Sequence, residues 1–142
     1  MTDAESETIV LPSASTDSLS KADATANLAV KDVAAARKFY EDKLGFEALD
    51  QEGGEFVVYR SGSTAFNVYR SDFAGTNKAT AITWTVGDRI AALVEALAGK
   101  GIRFEHYDMP GMRREGDLHV GAGMKLAWFK DPDGNILGLA NR

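Results

Sequence analysis

The 142-residue sequence has no cysteine, and histidine occurs only at His106 and His119. The missing thiols exclude zinc–thiolate sites, iron–sulfur clusters, thiol nucleophiles and a disulfide scaffold. No apolar run approaches the ~20 residues of a membrane-spanning helix, so no membrane partner is expected. The start MTDAESETIV is acidic and lacks the basic region of a secretory signal, which points to the cytoplasm. Basic residues are in deficit, with 16 Lys and Arg against 21 Asp and Glu. No stripe of them interleaves with aromatics, so nucleic acid is not an expected partner. What is present is ordinary globular composition, 44% hydrophobic and 26% charged. A chain of this size folds as one domain without covalent staples.

The net charge of −5 is concentrated at one end. Residues 1–24 carry Asp3, Glu5, Glu7, Asp17 and Asp23 against Lys21 alone, and Ser and Thr are frequent among them. Only Ile9-Val10-Leu11 could pack there, and Pro12 follows at once. This stretch reads as a flexible acidic arm, and residues 25–142 as a single domain.

That domain is similar to itself. Val30-Lys31-Asp32 opens a helical stretch that closes at Leu44-Gly45-Phe46, and Val86-Gly87-Asp88 opens one that closes at Lys100-Gly101-Ile102. The Asp and Gly pairs share an offset of 56 residues. Each Asp suits a helix N-cap, and each Gly suits the left-handed position past a helix end. Val33, Ala36, Phe39 and Tyr40 form one apolar face; Ile90, Leu93, Val94 and Leu97 form the other. Strands are expected over 27–31, 46–50, 55–60 and 64–69 in half one (25–70). In half two (80–142) they are expected over 81–86, 102–107, 124–130 and 136–140. The pattern is α+β: two β-α-β-β-β modules, with about fifteen extra residues between Glu105 and Gly123.

VKDVAAARKFYEDKLGF resembles the opening helix of the vicinal oxygen chelate superfamily, and WFKDPDGNILGL resembles its closing hairpin. The superfamily includes glyoxalase I, extradiol dioxygenases, fosfomycin-modifying enzymes and bleomycin-sequestering proteins. The resemblance implies that the modules form a cup-shaped mixed sheet with helices on its outer face, and that two chains pair as a homodimer. It also implies where a catalytic divalent ion would be held: at Thr25, Asn67, Ala81 and Gly138. None of these is a His, Gln or Glu, and their immediate neighbours are no better. No metal and no other cofactor is therefore expected. Glu105, His106, Asp108, Glu115, Asp117 and His119 crowd the insertion. They read as a solvated hairpin rather than as a second metal site.

Strand alternation sorts the rest. Asn27 and Ala29, Asn67 and Tyr69, and Thr83 and Thr85 are expected to face the cup, and Tyr59, Lys125 and Phe129 to share that face. Trp84 and Trp128 read as core fillers. Residues 105–123 are expected to form a mobile flap that brings Met109 and Met112 over the ligand. If chemistry occurs, Glu105, His106 and Tyr107 are its acid–base candidates. The expected function is metal-independent binding of a partly hydrophobic metabolite or drug, to sequester or to sense it. A glyoxalase-like lyase, isomerase or dioxygenase-type enzyme using a metal or acid–base residues on the 105–123 loop is one alternative. A dimeric interaction module with a vestigial cup is the other.

Overall fold

The computed structural model describes residues 19–52 and 54–142. Ile9-Val10-Leu11 and most of the acidic arm lie outside the described residues. The part of the arm within them has one 3-10 turn, Leu19–Lys21, and residues 19–25 are exposed.

The first module runs β1 (Ala26–Val30), α1 (Val33–Arg37), β2 (Ala48–Glu52), β3 (Phe56–Ser61) and β4 (Thr64–Arg70). Asp32 caps α1 as its sequence position suggests, Oδ1 accepting from Ala35 N–H at 3.1 Å. The helix then widens into a π-helical stretch, Lys38–Lys43, in which the adjacent Phe39 and Tyr40 are both buried. Gly45 closes it at φ +82°. In the four-stranded sheet, ordered β1-β4-β3-β2, β1 runs parallel to β4 and the other pairs are antiparallel.

The second module runs β5 (Thr80–Thr85), α2 (Ile90–Gly99), β6 (Phe104–Glu105), β7 (Arg113–Glu115), β8 (Leu118–Gly121), β9 (Met124–Lys130) and β10 (Ile136–Ala140). Here Asp88 does not cap the helix. The chain enters α2 through a 3-10 turn, Gly87–Arg89, with Gly87 at φ +67°, and no side chain caps α2. Past the other end the Ile102 amide reaches Leu97 O at 3.1 Å, with Gly101 at φ +90°. The second mixed sheet is ordered β5-β10-β9-β8-β7, and β5 is parallel to β10. β6 and β8 share one edge of β9: Phe104 lies opposite Phe129 and His119 opposite Leu126.

The inserted residues are therefore not a detached flap. The β7–β8 hairpin continues the sheet, and only residues 106–112 form a loop. The expected strand over 102–107 shrinks to Phe104–Glu105 because the chain leaves the ladder to make that loop.

A single apolar core joins the modules on their helical sides. Leu28, Val30, Tyr59, Phe66 and Val68 of the first sheet meet Phe129, Leu137 and Leu139 of the second, with Tyr40, Ile90 and Leu97 between them. Each fully buried large side chain contributes about 1.5–3 kcal/mol. A polar clasp reinforces the junction. Asp131, at the head of Asp131-Pro132-Asp133-Gly134-Asn135, accepts from Tyr40 Oη–H at 2.7 Å, Asn135 Nδ2 at 2.8 Å, and the Asp133 and Asn135 amides at 2.9 Å. Asn135 Nδ2 also donates to Ala29 O at 2.8 Å, and the Lys31 amide to Asp133 Oδ1 at 3.1 Å. The turn between β9 and β10 thus holds β1, and every buried oxygen of Asp131 has partners.

Candidate functional site

With the core on the helical side, the opposite faces of the two sheets are left for ligands. On the first sheet Asn27 and Asn67 sit directly opposite one another, and Asn67 Nδ2 donates to Asn27 Oδ1 at 3.0 Å. Asn27, Ala29 and Tyr69 line a cavity of about 270 Å³ with Phe73, Ala81 and Asn135. On the second sheet Thr83 lies opposite Gly138, and Thr83 and Thr85 are exposed.

Two residues assigned to this lining from sequence are in the core instead. Tyr59 is 0% exposed and its hydroxyl donates to Glu41 Oε2 at 2.9 Å, on the helical side. Burial first, and then the Glu41 carboxylate, push the Tyr59 phenol well above its ordinary pKa. Phe129 is 1% exposed and meets Phe39 and Phe104. Lys125 is exposed and alternates in phase with Ala127 and Phe129, so it too belongs to the other side of β9.

Trp128, which reads from sequence as a core filler, is instead on the face of β9 opposite Ala127 and Phe129. Its ring stands edge-on to His119 at 4.9 Å and to Tyr107 at 5.4 Å. Trp84, by contrast, packs against Phe46 and Phe66 and donates from Nε1 to Ser61 Oγ at 2.9 Å.

The loop over residues 106–112 lies on this face. The Tyr107 amide donates to His119 Nε2 at 2.9 Å. Gly111 adopts φ +79°, and its carbonyl lies so close to Gly121 that a Cβ there would overlap it. The two cavities flanking the loop share Tyr107 and Met109 as walls. One, of about 660 Å³, is also lined by Asp108, Pro110, Met112, Arg113, Arg114 and His119. The other, of about 400 Å³ and mostly apolar, is lined by Lys78, Ala79, Thr80, Trp128 and Ile136. Burial, aided by the nearby Glu105 carboxylate, raises the Tyr107 pKa.

Of the acid–base candidates, Tyr107 lines both cavities, whereas His106 is engaged elsewhere. Arg114 Nη1 lies 3.0 Å from His106 Nδ1, and Asp117 Oδ1 lies 2.8 Å from His106 Nε2. Arginine only donates and a carboxylate only accepts, so the ring carries its proton on Nε2. Glu105 lies 3.8 Å from Lys130 Nζ.

His119 was visible from sequence only as a loop donor, yet it is 1% exposed. Among the described residues its Nδ1 is a buried side-chain atom without a hydrogen-bond partner. Leaving such a group unsatisfied costs about 1–3 kcal/mol.

The family-type metal positions do not fit an ion. Thr25 is exposed ahead of β1, Asn67 is bonded to Asn27, Ala81 is an alkyl wall and Gly138 has no side chain. Among the described residues no three His, Asp or Glu side chains converge as a metal-binding group, on the insertion or elsewhere. Nor is any described helix long and apolar enough to cross a membrane.

Comparison with solved structures gives neighbours of this architecture. A bleomycin-binding protein complexed with bleomycin superposes with a TM-score of 0.63 at 20% identity, covering 84% of this chain and 98% of that one. A lactoylglutathione lyase from Agrobacterium tumefaciens gives 0.62 at 18% identity, covering 84% and 92%. A fosfomycin resistance protein from Mesorhizobium loti gives 0.62 at 10% identity, covering 86% and 92%. At these identities the likeness is one of fold. No curated protein matches the sequence. The family model Glyoxalase/Bleomycin resistance protein/Dioxygenase superfamily matches residues 22–139. With that match over most of its length and the two mixed sheets to accompany it, the chain belongs to this superfamily, the vicinal oxygen chelate fold.

Proposed function

We propose that this protein is a metal-independent binder of a partly apolar small molecule, a metabolite or drug that it sequesters or senses in the cytoplasm as a homodimer. The observation that carries this reading is the pair of cavities around Tyr107 and Met109, whose walls combine aromatic rings and thioethers with a few polar groups. Metal independence is supported by the donor chemistry at Thr25, Asn67, Ala81 and Gly138. Small-molecule binding is in keeping with the bleomycin-binding neighbour of the same fold.

The two tryptophans make the test direct, because Trp128 lines one of the cavities and Trp84 lines neither. Screening a metabolite and drug library by tryptophan fluorescence should yield compounds that quench the native protein but not Trp128→Phe. Quenching that survives in Trp128→Phe and disappears in Trp84→Phe would place the ligand elsewhere. A library with no quencher would count against binding altogether.

A further inference from the structure

His119 is the side chain in the larger loop cavity whose hydrogen bonding the fold leaves incomplete. Nε2 accepts the Tyr107 amide, so in the neutral ring the proton is on Nδ1. That N–H is enclosed and has no partner among the described residues. His119 is also a wall of the cavity, so an acceptor from there reaches this donor when the enclosing side chains shift.

The charges in the same wall indicate what kind of acceptor. Arg113 and Arg114 stand there against the single carboxylate of Asp108. Arg113 Nη2 donates to Glu115 at 2.7 Å, and Arg114 Nη1 is near His106 Nδ1 and Gly116 O. Each guanidinium has further N–H donors beyond these, in the planar arrangement that suits an oxyanion. Met109, Pro110 and Met112 supply adaptable apolar surface for the rest of a ligand.

We infer that the cavity takes an apolar molecule carrying a carboxylate, whose oxygen accepts the Nδ1–H of His119 while Arg113 and Arg114 supply the counter-charge. The inference rests on the reading of the cavity as a small-molecule site, and it adds the ligand's chemical class and the residue that selects it. A neutral alcohol of the same shape can also accept a hydrogen bond but gains nothing from the arginines. Carboxylate selectivity is thus the distinguishing property.

The test uses the full chain, labelled with nitrogen-15, titrated with naphthoate and, separately, with the neutral naphthylmethanol. Long-range proton–nitrogen correlation reads the His119 ring, and the methyl signals of Met109 and Met112 report occupancy. Naphthoate should move the His119 Nδ1 resonance and bind about tenfold or more tighter than naphthylmethanol. His119→Phe should remove that preference. Should His119→Phe fail to fold, Arg114→Gln serves, and it should weaken naphthoate while leaving naphthylmethanol unchanged. Equal affinities with an unmoved His119 ring would overturn the carboxylate assignment but leave a small-molecule cavity. Unmoved Met109 and Met112 methyls with either probe would overturn both.

Discussion

Single side chains decide whether the two modules stay together, and Tyr40 is the clearest case. Its ring is 0% exposed and its hydroxyl donates to Asp131 Oδ2 at 2.7 Å. Burial first, then the Asp131 charge, raise the phenol pKa far above its ordinary value. Tyr59 and Tyr107 are shifted the same way. A folded state that holds these protons more tightly than the unfolded chain keeps its full stability below the unfolded tyrosine pKa of about 10. It loses stability as pH rises from there toward the folded values. Urea unfolding between roughly pH 9 and pH 11 should therefore show a falling free energy, with a shallower fall in Tyr40→Phe. That variant should also cost about 1–3 kcal/mol near neutral pH, because Asp131 loses one of its partners. An identical slope in the variant and the native protein would contradict this assignment of Tyr40.

At the scale of elements, the loop over 106–112 is held by backbone contact, and Gly121 is where it can be released. A Cβ at Gly121 would overlap Gly111 O and stand 3.2 Å from Met112 Cα. Gly121→Ala is expected to lift the loop from β8 at a cost of about 1–3 kcal/mol. It should also speed hydrogen exchange of the Tyr107 amide, which is bonded to His119. Unchanged exchange in a folded variant would show that the loop is held by other means. The strands show how much of this was legible in the sequence. β1 and β4 place Leu28, Val30, Phe66 and Val68 on the buried side in clean alternation, so Asn27, Asn67 and Tyr69 could be assigned to the opposite face. β3 reads Phe56-Val57-Val58-Tyr59 and β9 reads Leu126-Ala127-Trp128-Phe129, apolar on both faces. Alternation then gives no direction, and the sequence alone puts Tyr59, Phe129 and Trp128 on the wrong sides. β7, with Arg113-Arg114-Glu115, has no apolar periodicity at all. Its place at the sheet edge, and the burial of His119, follow from pairing through β8 to β9, which is a tertiary fact.

At the scale of the whole molecule, four large apolar side chains among the described residues are exposed: Leu19 at 88%, Leu49 at 48%, Tyr69 at 39% and Phe73 at 78%. The proposed pairing of two chains predicts that light scattering at micromolar concentration gives twice the 15.3 kDa chain mass. A mass of one chain would contradict it. The donor set makes a second global property measurable. Elemental analysis after purification without chelator should find far less than one Zn, Ni, Fe or Mn per chain. One equivalent that disappears on changing His106 or His119 would move a metal site to the insertion.

Metal-independent recognition of a small molecule is tested most directly by thermal-shift screening of the full chain, with and without a chelator. A ligand present at about a hundred times its dissociation constant stabilises a protein by roughly 2.7 kcal/mol, which for a domain of this size is on the order of several degrees. The account predicts compounds that raise the melting temperature by that amount, equally in the presence of chelator, and that fail to do so with Tyr107→Ala. Stabilisation that appears only when a divalent ion is added, or that is indifferent to Tyr107, would contradict it.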